Sequence, residues 1–202
     1  MVPLAKLGFA VTGIDTSGFA LRRAMKHASA EGVRARFIRG DLLGVLQAQP
    51  ERYDIVLCAE VLYLCPQYRA MLQVLARAVR PGGLLCVSNR PTFYYFVESL
   101  RHGDVGAARL VLTEREGHFR GPFPEAGYYN WQDEDDLRRL YQELGFKDVA
   151  VYPIDRFAWL AGLDVGTLGP ALHREWLSRE LETPLEGGLC ARYGFVIAAR
   201  DR

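Results

Sequence analysis

Three acidic residues, Asp15, Asp41 and Glu60, stand where three short runs with strand character end: Phe9–Ile14, Ala35–Ile38 and Tyr53–Cys58. Open parallel sheets bind ligands beyond the carboxyl ends of their strands, near the point where the strand order reverses. A carboxylate at one such end can accept both hydroxyls of a ribose. A carboxylate after a neighbouring strand can accept from the exocyclic amine of adenine. Together the three acids suit an adenosine lying across a sheet edge. Each alone has a plainer reading, because turns and helix starts favour Asp in any case.

The elements that must carry these acids follow from the pattern around them. Ser17 is placed to cap a helix whose Leu21, Ala24, Met25 and Ala28 share a face, with Gly32 as its stop. Pro66 suits the first turn of a second helix, striped by Met71, Leu72, Leu75 and Val79. Pro81-Gly82-Gly83 then turns the chain into a strand at Leu84–Ser88. Further on, a helix is expected over Asp133–Leu144, a strand over Asp148–Pro153 and a last strand over Tyr193–Ala199. Strands without polar alternation, separated by amphipathic helices, imply a mostly parallel α/β sheet covered on both faces, a doubly wound architecture. Two stretches break the rhythm, residues 91–131 and 155–189, the second with a helix expected near Leu172–Leu177. They read as insertions in a single domain over residues 1–202, the length of about one domain.

Composition narrows the function classes. The formal net charge is +1 and the arginines are scattered, which gives no support to a nucleic-acid partner. No apolar stretch approaches the roughly 20 residues needed to cross a bilayer, and the first residues lack the order of a secretory signal. The four cysteines form no CxxC pair or zinc spacing, so free thiols and a cytoplasmic location are expected. Asp133-Glu134-Asp135-Asp136 reads as an acidic first helical turn complementing the dipole rather than a metal site.

Phe9–Asp15, Gly40-Asp41-Leu42, Tyr53–Tyr63 and Arg80–Leu85 resemble, in order and spacing, successive motifs of class I S-adenosylmethionine-dependent methyltransferases, as does Gly145-Phe146 before a strand. The resemblance implies a Rossmann-like doubly wound, mostly parallel sheet whose last strand is antiparallel and lies next to the strand at Leu84. It implies that Asp15 holds the ribose of S-adenosylmethionine with Thr16 beside it. Asp41 would meet the adenine amine, Leu42 would pack on the ring, and Ala59 and Glu60 would line the methionine end. Members of that family place a strand and a Gly-x-Gly-x-Gly loop before the segment resembling Pro3–Phe9, so the usual first strand is lacking here. Its absence is expected either to destabilise the sheet or to collapse the strands that flank it, since buried backbone groups must pair.

Methyl transfer depends mostly on aligning the acceptor lone pair with the sulfonium methyl. Ala59-Glu60-Val61-Leu62-Tyr63 departs from the Asn-Pro-Pro-Tyr type expected for DNA bases or protein amides, and Glu-Val-Leu segments are frequent in small-molecule methyltransferases, so a small-molecule acceptor (O or N) is expected. Phe93, Tyr94, Tyr95, Phe96, Phe119, Phe123, Tyr128, Tyr129 and Trp131 crowd the first insertion. Those rings either hold an acceptor or only cover the sheet edge. His118 and Tyr63 are the candidate bases, and neither is assigned. A nicotinamide-dependent reductase is disfavoured, because no tyrosine has a lysine four residues on. The alternative of another class is a non-catalytic methyltransferase relic acting as a binding or structural partner.

Overall fold

A computed structural model of the chain describes residues 1–48, 52–120, 127–164, 167, 169–182 and 189–201. Backbone contacts divide it into two compact units, Met1–Glu51 and Arg52–Arg202, each taken by itself below.

The first unit runs α1 (Val2–Lys6), β1 (Thr12–Asp15), α2 (Gly18–Ala30), β2 (Arg36–Arg39) and α3 (Leu42–Ala48). Ser17 caps α2 as expected, its hydroxyl accepting from the Ala20 N–H at 3.1 Å. Of the face expected from spacing, Leu21 and Ala28 are buried and Ala24 is half-buried, but Met25 is 51% exposed because it lies one position round the helix from the covered stripe. β1 and β2 pair in parallel with Asp15 opposite Arg39. β1 is shorter than the run that suggested it. Phe9, at 45% exposure, precedes it, and Gly8 at φ +88° makes the turn out of α1.

The second unit contains β3 (Tyr53–Cys58), a short 3-10 turn (Leu62–Leu64), α4 (Tyr68–Ala78), β4 (Val79–Asn89), α5 (Thr92–Arg101), α6 (Val105–Thr113), β5 (Glu116–Phe119), β6 (Gly127–Asn130), α7 (Glu134–Glu143), β7 (Phe146–Ile154), α8 (Phe157–Ala161), α9 (Pro170–Glu182) and β8 (Tyr193–Arg200). Its main sheet has the order β3-β4-β8-β7. β3 and β4 are parallel, while β8 is antiparallel to both of its neighbours and meets the β4 strand with Ala199 opposite Leu84. This is the mostly parallel sheet with an antiparallel last strand that was expected. Among the described residues β1 pairs with β2 within the first unit and β3 pairs with β4 within the second.

Two elements depart from the sequence reading. Val79 is the first residue of β4, opposite Tyr53, rather than the end of the helical stripe. Pro81-Gly82-Gly83 is an irregularity carried inside this strand, not a turn before it. Gly82 sits at φ +75°, and a Cβ on Gly83 would stand 2.7 Å from the Asp54 carbonyl oxygen, so both positions require glycine. The described residues of the aromatic insertion fold into regular elements. They form an α5–α6 helical pair beside a β5–β6 hairpin, and Phe123 lies outside the described residues. α9 covers the helix expected near Leu172–Leu177.

Candidate functional site

In the first unit the two predicted acids arrive at one edge. The Gly40 N–H donates to the Asp15 carbonyl at 3.1 Å, so Asp41 lies one residue beyond the backbone bond that ends the β1–β2 ladder. Both carboxylates are exposed. One oxygen of Asp15 accepts from the Ser17 N–H at 2.7 Å and one of Asp41 from the Gly44 N–H at 3.1 Å. The plainer reading of each acid is therefore also true, since each closes a local turn. A carboxylate has about four lone-pair sites, which leaves capacity for a ligand. Thr16 is exposed beside Asp15, and Leu42 is half-buried at the start of α3.

In the second unit Ala59 and Glu60 follow β3, and Glu60 is held in the left-handed region at φ +62°. Such a conformation costs a non-glycine residue on the order of 1–3 kcal/mol and persists where surrounding bonds over-determine it. Those bonds are present. The Glu60 N–H donates to Ser88 Oγ at 2.7 Å, Ser88 Oγ donates to Glu60 Oε1 at 3.0 Å, and Tyr63 OH donates to Glu60 Oε2 at 2.7 Å. Arg90 Nη2 stands 3.5 Å from the same oxygen. Burial, then the bond to Glu60, push the Tyr63 phenol up, so it stays protonated at neutral pH and acts here as a donor, not a base. His118 is exposed on β5 with its ring edge-on to Tyr128, and belongs to the hairpin rather than to this cluster.

Arg90, with its side chain 5% exposed, was not anticipated from the sequence. Its guanidinium lies 3.9 Å from the Tyr193 ring centroid and 4.2 Å from that of Tyr94. It donates to the Arg192 carbonyl at 3.2 Å and to Tyr193 OH at 2.9 Å. β4 ends where β8 begins, with Asn89 opposite Gly194, which is why partners about a hundred residues apart in sequence meet here. The only sequence signal was Ser88-Asn89-Arg90 closing a strand.

The crowded aromatics form a core of their own. Tyr94, Tyr95, Phe119, Tyr129, Trp131 and Trp159 are buried together, with Tyr95 and Trp131 fully so. Trp131 Nε1 donates to the Val111 and Glu114 carbonyls, and Trp159 Nε1 to Glu98 Oε1, so the indole donors are satisfied internally. This favours a covering and packing role for most of these rings. Asp133 and Asp136 sit at the start of α7 and pair with Arg115, as an acidic first turn should. Among the described residues no helix is long and apolar enough to cross a membrane.

A family profile described as a methyltransferase domain matches residues 1–83. A structure titled a S-adenosylmethionine-dependent methyltransferase from Methanosarcina mazei superposes over 99% of this chain and 86% of its own, with a TM-score of 0.61 and 18% identity. Residues 1–83 thus match a methyltransferase domain, and the fold is that of S-adenosylmethionine-dependent methyltransferases. The magnesium protoporphyrin IX methyltransferase of Synechocystis, solved with S-adenosylhomocysteine bound, gives a TM-score of 0.58 at 19% identity, over 99% of this chain and 68% of that one. A curated relative, the ubiquinone biosynthesis O-methyltransferase of Vibrio cholerae, is 32% identical over 114 residues, 56% of this chain and 45% of the relative. The match thus spans less than half of that relative's length.

The donor set of the first unit fits this family's cofactor. Two exposed carboxylates at the ends of adjacent parallel strands are acceptors for ribose hydroxyls and an adenine amine, and half-buried Leu42 offers an apolar contact to the ring.

Proposed function

We propose that this protein transfers a methyl group from S-adenosylmethionine to an oxygen of a small-molecule acceptor. The observation that carries the reading is the placement of Asp15 and Asp41 side by side at the carboxyl edge of β1 and β2. Support for an oxygen acceptor comes from the curated relatives, which are named for O-methylation in ubiquinone biosynthesis. When bound, the cofactor supplies an electrophilic methyl on a sulfonium. In this reading Asp15, with Thr16 beside it, takes the ribose, Asp41 the adenine amine and Leu42 the ring face. Ala59 and Glu60 line the methionine end, where Ser88 and Tyr63 hold the Glu60 carboxylate in one orientation. In this reading residues 1–202 make a single methyltransferase domain. Four cysteines that form no disulfide among the described residues support a reducing, cytoplasmic setting.

The test is calorimetric titration of the purified protein with S-adenosylhomocysteine, beside Asp15→Asn and Asp41→Ala. The Asn side chain keeps an acceptor for the Ser17 N–H, so the local turn survives while the charge is removed. A hydrogen bond to a charged group is worth about 1.5–3 kcal/mol, so each variant should bind roughly 10- to 100-fold more weakly. Unchanged affinity in both variants removes the adenosine assignment. No binding by the wild type leaves the non-catalytic reading in its place.

A further inference from the structure

The cluster at the carboxyl end of β4 holds more donors than its neighbours accept. Arg90 Nε, Arg192 Nε, Thr92 Oγ1 and Tyr95 OH are buried atoms with no hydrogen-bond partner. All four can donate, and buried donors without acceptors are strongly disfavoured unless something completes them. They belong to one neighbourhood. Arg90 and Arg192 lie 3.9 and 5.6 Å from the same Tyr193 ring centroid, Thr92 is two residues beyond Arg90, and the Tyr95 ring packs 5.1 Å from that of Tyr94, which lies 4.2 Å from Arg90.

Each guanidinium already has a carboxylate on one edge. Glu60 stands 3.5 Å from Arg90 Nη2, and Asp155 Oδ2 accepts from Arg192 Nη1 at 3.2 Å. In both cases the Nε edge is the one left over. The Glu60 side chain is 47% exposed while that of Arg90 is 5% exposed. Water therefore screens the anion more than the cation, and the buried positive charge is under-compensated. The planar guanidinium fork matches a carboxylate through two parallel N–H bonds, a geometry no single neutral oxygen reproduces.

We propose that Arg90 and Arg192, with Thr92 and Tyr95 as auxiliary donors, form a binding subsite for a carboxylate carried on an aromatic methyl acceptor. This deepens the methyl-transfer reading and rests on it for the acceptor's identity. Half-buried Tyr193 offers a ring face to the acceptor's aromatic body, while the buried rings of Tyr63 and Tyr94 hold the Arg90 guanidinium. The Arg192 side chain is 42% exposed, which opens the cluster to an entering ligand.

The experiment titrates the full chain with benzoate and with its neutral isostere benzamide, read by NMR chemical shifts, in wild type, Arg192→Gln and Arg90→Lys. Arg192 is half exposed, so its variant should fold, and a circular dichroism spectrum checks this. Benzoate should bind about tenfold or more tightly than benzamide, Arg192→Gln should abolish that preference, and Arg90→Lys should weaken benzoate by about tenfold despite keeping the charge. Equal binding of the two probes, no benzoate binding, or a preference that survives Arg192→Gln overturns the subsite. S-adenosylhomocysteine affinity is measured on the same samples. A wild type without the carboxylate preference but with intact nucleoside binding refutes the subsite alone, whereas a wild type that does not bind the nucleoside refutes the methyl-transfer reading.

Discussion

Glu180 offers a test of how the second insertion is held. It lies on α9, is only 2% exposed, and its carboxylate accepts from three successive backbone N–H groups: Asp155 at 2.8 Å, Arg156 at 2.8 Å and Phe157 at 3.1 Å. These are the donors at the start of α8, which a helix cannot satisfy by itself. Asp155 is further held at φ +59°, a strained position for a non-glycine residue. Replacing Glu180 by Ala removes charge-assisted bonds worth about 1.5–3 kcal/mol each. Water can reach the half-buried Asp155, but Arg156 is 8% exposed and its N–H would be orphaned. One charged bond lost in full, together with the loss of a helix cap worth about 0.5–2 kcal/mol, gives roughly 2–5 kcal/mol. Glu180→Gln keeps one acceptor oxygen and should cost about 1–2 kcal/mol. Native-state hydrogen exchange reports the local opening energy directly: amides 155–157 should lose protection in that order of severity, and chemical denaturation should show a lowered midpoint. If Glu180→Ala exchanges like the wild type at those amides, the carboxylate does not hold α8 and the reasoning fails.

Two further outcomes follow from buried groups. Burial first, then the neighbouring Cys65, push the Cys58 thiol up to about 12, so Cys58 should resist a thiol reagent at pH 8 until denaturant is added; labelling of the native protein at the rate of an unfolded cysteine contradicts this. Tyr141 is fully buried against Phe146, and burial holds its phenol well above the ordinary range. The folded state then keeps a proton that the unfolded chain releases near pH ~10, so the stability it contributes is complete below that pH and falls as pH rises beyond it. Tyr141→Phe should lose stability less steeply in that alkaline window, by up to about 1.4 kcal/mol per pH unit, and an unchanged slope in pH-dependent denaturation would count against it.

Local chemistry made much of the first unit and the main sheet legible. Ser17 before an apolar stripe, and acids closing apolar runs, are signals contained within about ten residues, and α2, β1 and β2 formed where they indicated. Val79 was misplaced because an apolar residue after Leu75 satisfies both a helical stripe and a buried strand; pairing with Tyr53 decided it. The Arg90 and Glu180 clusters left no such trace. Their partners lie 103 and 24 residues away, and only the meeting of β4 with β8, and of α9 with α8, brings them together. The aromatic-rich insertion was ambiguous for a different reason, since rings that pack on one another and rings that await a ligand have the same composition.

The position of β8 between β4 and β7 bears on the order in which the protein can mature. A ribosome delivers β3 and β4 early, and β7 well before the end, yet none of the β4–β8 or β7–β8 bonds exists until residues 193–200 have left the exit tunnel. Until then β4 and β7 are open templates for any passing strand, the condition in which nascent chains mispair. Arg90 meanwhile has neither the Tyr193 ring nor the Arg192 carbonyl to rest on. The Arg90 cluster is thus assembled only once β8 has emerged, and a chain released before that point is an unfinished sheet.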